Sequence, residues 1–165
     1  MAEKKRNLTH VTQAGAARMV DVGDKPLTQR AARAEGWIRM QAETLAAIQQ
    51  NSVEKGDVLT VARIAGISAG KRTADWVPLC HPLQIDQIDV SLTLDPDLPG
   101  VRVQARAAVT ARTGAEMEAL VAASAALLTV YDMCKAIERG MEIGAVRLVE
   151  KSGGRSGSWR REGSD

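Results

Sequence analysis

From Ala119 to Tyr131 the chain carries no charged residue, and only Ser124, Thr129 and Tyr131 interrupt a run of Ala, Leu and Val. Such residues are strong helix formers, and Thr113 followed three residues later by Glu116 has the capping-box spacing, which predicts a helix that starts here and ends near Gly140. A helix apolar on nearly every side must be buried on nearly every side, and its alanines let other backbones approach closely. The stretch is therefore expected to be the spine of the fold and a candidate for a subunit interface. Polar side chains on it need a partner or a ligand. Thr129, Asp132 and Lys135 share one face, which extends backwards past Ala125 and Ala122 to Glu118. Glu118 and Asp132 lie ~21 Å apart at the helical rise. Two acids so distant can serve one small substrate only if a second subunit brings its own helix alongside.

The rest of the composition narrows the function classes. A chain of 165 residues with 45% hydrophobic and 25% charged residues and a net charge of +2 fits one globular domain without a bias towards polyanions. With no Phe, one Tyr and three Trp, it lacks the aromatic platforms on which single-stranded nucleic acids stack, so no nucleic-acid partner is expected. Cys80 and Cys134 form no disulfide framework and fit a reducing cytoplasm. The charged N-terminus lacks an apolar segment behind it, and the longest uncharged run is too short to span a bilayer. A soluble cytoplasmic protein without membrane contact is expected.

In order, residues 1–27 read as a polar N-terminal arm in which only Met19–Val22 looks strand-like. From Thr28 the pattern alternates: Ala32, Ala34, Gly36, Ile38 and Met40 lie on one face, and Arg33, Glu35, Trp37 and Arg39 on the other. Residues 41–50 predict a short helix. Asp57 can cap a second, Val58 to about Lys71. Trp76–Pro82, with two prolines, is an extended, stiff loop. Strands centred on Ile88–Leu94 and Val101–Val109 follow, joined through Asp95–Gly100, then the long helix and a last strand, Glu142–Lys151. This order gives an α+β fold, the ferredoxin-like split βαβ arrangement: an antiparallel sheet with helices packed on one face. Residues 28–151 would form the catalytic α+β domain, and residues 152–165 a flexible Gly/Ser/Arg tail. The sheet's other face would carry Arg33, Glu35, Trp37, Asp89, Arg102 and Arg106.

Several clusters invite a chemical reading. Gly66–Thr73 superficially looks like a phosphate-binding loop. However, only three residues separate its glycines and Arg72 intrudes between Lys71 and Thr73, so a nucleotide-triphosphatase is rejected. Lys71 and Arg72 still offer charge to an anion. His81 sits between prolines, well placed for a ligand, with an incidental buried histidine as the competing reading. His10, Cys80, His81 and Cys134 lack metal-site spacing, and no metal site is expected. Glu116 has a structural role as a cap, although helix N-terminal amides also attract anionic groups near Gly114–Met117. Asp132 and Lys135 are either an exposed ion pair or, desolvated on an apolar helix, a proton-exchanging pair near neutral pH. Lys151–Gly157 combines cations with mobile amides, as a loop over phosphates or a disordered tail would.

Taken together, Leu8-Thr-His, Met19-Val-Asp-Val, Lys55-Gly-Asp-Val, Ala62-Arg-Ile-Ala-Gly-Ile, Lys71-Arg-Thr, Pro78-Leu-Cys-His-Pro-Leu, Thr113-Gly-Ala-Glu-Met-Glu-Ala-Leu, Leu128-Thr-Val-Tyr-Asp-Met-Cys-Lys-Ala and Lys151-Ser-Gly-Gly resemble the molybdenum cofactor biosynthesis protein C family, the cyclic pyranopterin monophosphate synthases. The stretches run in family order over essentially the whole chain. The resemblance implies a lyase that converts 3′,8-cyclo-7,8-dihydroguanosine 5′-triphosphate to cyclic pyranopterin monophosphate and pyrophosphate. It implies a homohexamer, a trimer of dimers, with sites at subunit interfaces. It also implies that Asp132, Lys135 and Lys55 are catalytic, and that Leu79, Cys80, His81, Glu116, Met117 and Lys151 bind substrate. No resident cofactor is implied, and Mg²⁺ with the triphosphate is left open. Val121 and Gly70 depart from the residues common in the family, Thr and Ala. A non-catalytic anion- or nucleotide-binding module on the same scaffold is the rival reading.

Overall fold

The computed structural model describes residues 10–12 and 14–163. Of the stretch Leu8-Thr-His, only His10 therefore lies among them. Strand β1 (Thr28–Arg39) is followed by helices α1 (Ala42–Gln49), α2 (Val58–Gly70) and the single turn α3 (Thr73–Trp76). Strands β2 (Gln87–Asp95) and β3 (Gly100–Ala111) form a hairpin, and α4 (Glu116–Cys134), β4 (Glu142–Ser152) and β5 (Trp159–Arg160) complete the order.

The sheet order is β2-β3-β1-β4-β5 and every pairing is antiparallel, as the ferredoxin-like topology requires. β1 is central because its small inward residues leave room for α4. Ala32, Ala34 and Ile38 are at most 1% exposed, and Leu127 of α4 lies over Gly36. On the other face Arg33 lies opposite Arg106, Glu35 opposite Gln104 and Trp37 opposite Arg102. Charge on that face is partly neutralised by Arg147 on Glu35 at 2.7 Å and Arg33 on Glu150 at 3.6 Å.

Asp57 caps α2 as its sequence predicts, accepting the Thr60 amide at 3.0 Å. Two other boundaries differ. α4 begins at Glu116 with Ala115 as N-cap and no side-chain cap, so the expected Thr113–Glu116 capping box is not formed. The Glu116 carboxylate instead lies 3.8 Å from the Lys151 ammonium, a long-range attraction that the local spacing does not reveal. The helix also ends at Cys134 rather than near Gly140, turning through bonds from the Ile137 and Glu138 amides to the Cys134 carbonyl. Met19–Val22 forms no strand; among the described residues of the arm the one strand-like pairing is an isolated bridge from Val11 to Ala17. Residues 152–163 fold back so that Trp159 pairs with Lys151 and Arg160 with Glu150.

By length and apolarity α4 could cross a membrane, but 61% of its apolar window is buried inside the fold, which makes it a core helix. What seats it is the absence of side chains on α2. A Cβ at Gly66 would stand 2.8 Å from the Ala122 carbonyl oxygen, and one at Gly70 would stand 3.2 Å from the Ala122 Cβ. The glycines that resembled a phosphate loop are thus one face of α2, four residues apart, against which the α4 backbone packs. Gly66→Val overpacks this contact and is expected to lower unfolding free energy by ~2 kcal/mol or more, read as a drop in Tm beside wild type.

Candidate active site

Asp132 lies on the last turn of α4, where the helix emerges from the core. Its Oδ1 accepts from the Lys135 ammonium at 2.5 Å, and its Oδ2 accepts from the Lys55 ammonium at 3.1 Å. Lys55 also donates to the Asp132 carbonyl at 2.8 Å, so this lysine both neutralises the side chain and caps a free carbonyl at the helix end. Lys135 reaches Asp132 from the residue just past the helix, three positions on. Lys55 arrives from the connection between α1 and α2, 77 residues away in sequence. The three residues expected to be catalytic therefore form one cluster.

Hydrogen bonds from Lys135 and Lys55, with their charges, hold the Asp132 carboxyl below the usual carboxylate range. Its side chain is 57% exposed in this chain. Of the two readings of Asp132 and Lys135, the exposed ion pair is therefore the one this chain forms, and not the desolvated pair. Position explains the exposure: the apolar run ends one residue earlier, and Asp132 stands on the solvent-facing side of the last turn. At neutral pH it is a carboxylate beside two ammonium donors, which is a proton acceptor rather than an acid.

The other predicted residues gather at the opposite end of α4. Leu79, Cys80, His81 and Met117 line one apolar cavity of about 550 Å³ together with His10, Val77 and Pro78. Glu116 and Lys151 form their ion pair on the first turn of the same helix, and Lys151 also donates to the Ser156 hydroxyl. From Glu116 to Asp132 is ~24 Å along the helix. One chain does not bring the two groups together.

Glu118, which the sequence put on the polar stripe but not in the site, belongs with this second group. It is 2% exposed, its Oε1 lies 3.9 Å from the Cys80 sulfur, and its Oε2 is buried without a hydrogen-bond partner. Burial pushes its carboxyl up to about 7, and the neighbouring Glu116 charge adds to the rise. The same burial, with the Glu118 charge, raises the Cys80 thiol, which therefore stays protonated at neutral pH. The signal that could have found Glu118 was present: an acid that opens the uncharged run Ala119–Tyr131 must either be paired or become neutral.

The remaining candidates have local partners. Arg72 donates to the Ser68 hydroxyl at 3.0 Å, and Thr129 donates to the Ala125 carbonyl at 2.8 Å. Cys134 is fully buried beneath the far end of α4, with its thiol pushed up to about 11, so it does not approach Cys80. Val121 packs with Ala69, Ala125 and Val77, an apolar contact where a hydroxyl would have needed a partner.

Residues 19–154 match the sequence model of the MoaC family, a span that contains every site residue above except His10. The chain belongs to the MoaC family. Consistent with that membership, it is 57% identical over 152 residues to proteins from Brucella ovis, Brucella abortus and Brucella canis. Each is named cyclic pyranopterin monophosphate synthase, and each alignment covers 92% of both sequences. The MoaC-family model thus extends from the N-terminal arm to the glycines after Lys151.

Glu118 makes the fold pH-dependent in a definite direction. Its folded pKa of about 7 lies above the ordinary 4.5, so its burial is harmless below about pH 4.5 and costs stability as pH rises through 7. Glu118→Gln is expected to raise Tm relative to wild type at pH 8 by an amount that shrinks towards pH 4.5, measured by thermal denaturation across that range.

Proposed function

We propose that this chain is a cyclic pyranopterin monophosphate synthase: a lyase that takes 3′,8-cyclo-7,8-dihydroguanosine 5′-triphosphate to cyclic pyranopterin monophosphate and pyrophosphate in molybdenum cofactor biosynthesis. The observation that carries the reading is the Asp132 carboxylate held between Lys55 and Lys135. Rearranging the purine remnant into a pyranopterin requires repeated proton transfers on nitrogen and oxygen. A fixed carboxylate with ammonium donors on both oxygens can accept a proton and pass it on without diffusing partners. Closing the cyclic phosphate requires a sugar-derived hydroxyl to attack the α-phosphorus while pyrophosphate leaves. Lysines and His81 can neutralise the charge that builds on those oxygens.

In this reading the site is shared between two copies. Val61, Ile64 and Leu128 are exposed at 42%, 61% and 51% on α2 and α4. An antiparallel two-fold pairing of α4 over this face would bring Leu79, Cys80, His81, Met117, Glu116 and Lys151 of one copy to Asp132, Lys135 and Lys55 of the other. Asp132 would then supply the ionised base while Glu118, near pH 7, supplies a neutral acid behind the cavity, two carboxyls set apart by environment. Three such pairs make the homohexamer that the family resemblance implies. No resident cofactor enters this scheme, and Mg²⁺, where used, comes with the triphosphate. A cytoplasmic location is supported by the two free cysteines, Cys80 and Cys134.

Purified protein given the cyclic dihydroguanosine triphosphate is expected to release pyrophosphate and form the cyclic pyranopterin. Asp132→Ala is expected to lose about 10²-fold or more in kcat while still binding the triphosphate. Absence of turnover by wild-type protein would leave a binding module on the same scaffold as the better account.

A further inference from the structure

Helix α1 has no cap of its own. Gln41 is its N-cap residue and contributes no side-chain bond. The missing acceptor comes from the far end of the chain, where Glu138 Oε2 accepts both the Gln41 amide and the Thr44 hydroxyl at 2.8 Å. Thr44 is 1% exposed, so its hydroxyl has no access to water and needs that acceptor. A carboxylate at this end of a helix also meets the favourable end of its dipole.

The position of this clamp matters more than its contribution to the helix. Glu138 closes the turn that follows α4, and that turn begins at Lys135. Helix α1, which Glu138 grips, leads directly into the connection that carries Lys55. The two ammonium groups on Asp132 therefore come from the two segments that Glu138 ties together. The hydroxyl of Tyr131 adds a second tie to the same turn, donating to the Arg139 carbonyl at 3.1 Å.

We propose that Glu138 is a positioning residue for the reaction: by clamping the turn after α4 to the first turn of α1, it sets Lys135 on Oδ1 and Lys55 on Oδ2 of Asp132. Glu138 makes no bond to Asp132 or to either ammonium and acts through the backbone that delivers them. The role rests on the reading that the Asp132 cluster performs the chemistry. It differs from a merely structural capping role in what it predicts for the rate constant. A cap that only stabilises α1 changes Tm and leaves kcat alone, whereas a clamp that aims two lysines changes kcat in the folded enzyme.

Steady-state kinetics on the intact protein, with the cyclic dihydroguanosine triphosphate as substrate, separate the two roles. Glu138→Ala is expected to lower kcat about 10-fold or more with KM changed less than about 3-fold, because misplaced lysines act on the reacting complex rather than on capture of the triphosphate. Glu138→Gln keeps an oxygen that accepts both bonds and is expected to retain most of the rate. Thr44→Val, which removes one of the two donors, is expected to fall between them. Ile48→Val serves as the control, since it removes a methyl from the core under α1, where Ile48 is 6% exposed, without touching the clamp. The proposal is overturned if Glu138→Ala loses no more kcat than Ile48→Val, or if Glu138→Gln is no better than Glu138→Ala. Should Glu138→Ala fail to fold, an unchanged kcat in Thr44→Val overturns it equally. An inactive wild type is a different result: it removes the catalytic reading of Asp132, and the proposal with it.

Discussion

The close approach of α4 to α2 and to the sheet is the contact on which everything else depends. Ala119, Ala122, Ala123, Ala126, Leu127 and Val130 are completely buried, and the faces they meet have been pared down to match. Gly66 and Gly70 expose the backbone of α2, while Ala32, Ala34 and Gly36 lower the floor under the helix. Small residues on both sides give dense packing without large side chains, which is how a chain without Phe builds a core. The cost is tolerance: a single Cβ on α2 meets main-chain atoms that cannot rotate away.

Fixing the helix also fixes the distance between its ends, and the candidate site residues occupy those ends. In the middle, an ionised side chain would have to shed its charge or find a partner; at the ends, the chain can leave the core and present polar groups. The environments differ accordingly. Asp132, exposed and flanked by Lys55 and Lys135, is held ionised, whereas burial near Cys80 pushes the Glu118 carboxyl up to about 7. One helix thus carries two carboxyls of different character, and within a single chain the ~21 Å between them keeps them from any common partner. A site that uses both needs a second copy turned end for end.

Local pattern made the fold legible. Alternation in Ala32–Met40 and Ile88–Leu94, the all-apolar run of α4, and Asp57 before Val58 each rest on contacts within a few residues, and the structure follows them. The failures share the opposite property. The capping box at Thr113 was lost because Glu116 has a partner in Lys151, and α4 stops early where Glu138 is drawn to Gln41 and Thr44. Both competing partners are far away in sequence, so no spacing rule could have shown them. For the site, spacing on the helix pointed to Asp132 with Lys135, and only the resemblance to the family added Lys55. What spacing could not supply was the protonation state: an apolar helix suggests desolvation, but exposure at its last turn decides otherwise for Asp132, and enclosure decides for Glu118.

The central claim is that the working site joins the two ends of α4 from different copies, and mixed oligomers test it most directly. Asp132→Ala and His81→Ala chains, each inactive alone, would be unfolded together, reassembled and assayed for pyrophosphate release. In a two-fold pair of unlike chains, one site carries both defects and the other carries neither. Random pairing is then predicted to restore about a quarter of wild-type turnover. Mixed oligomers that form but remain as inactive as either parent would contradict the account, because they would show that one chain supplies both ends of its own site.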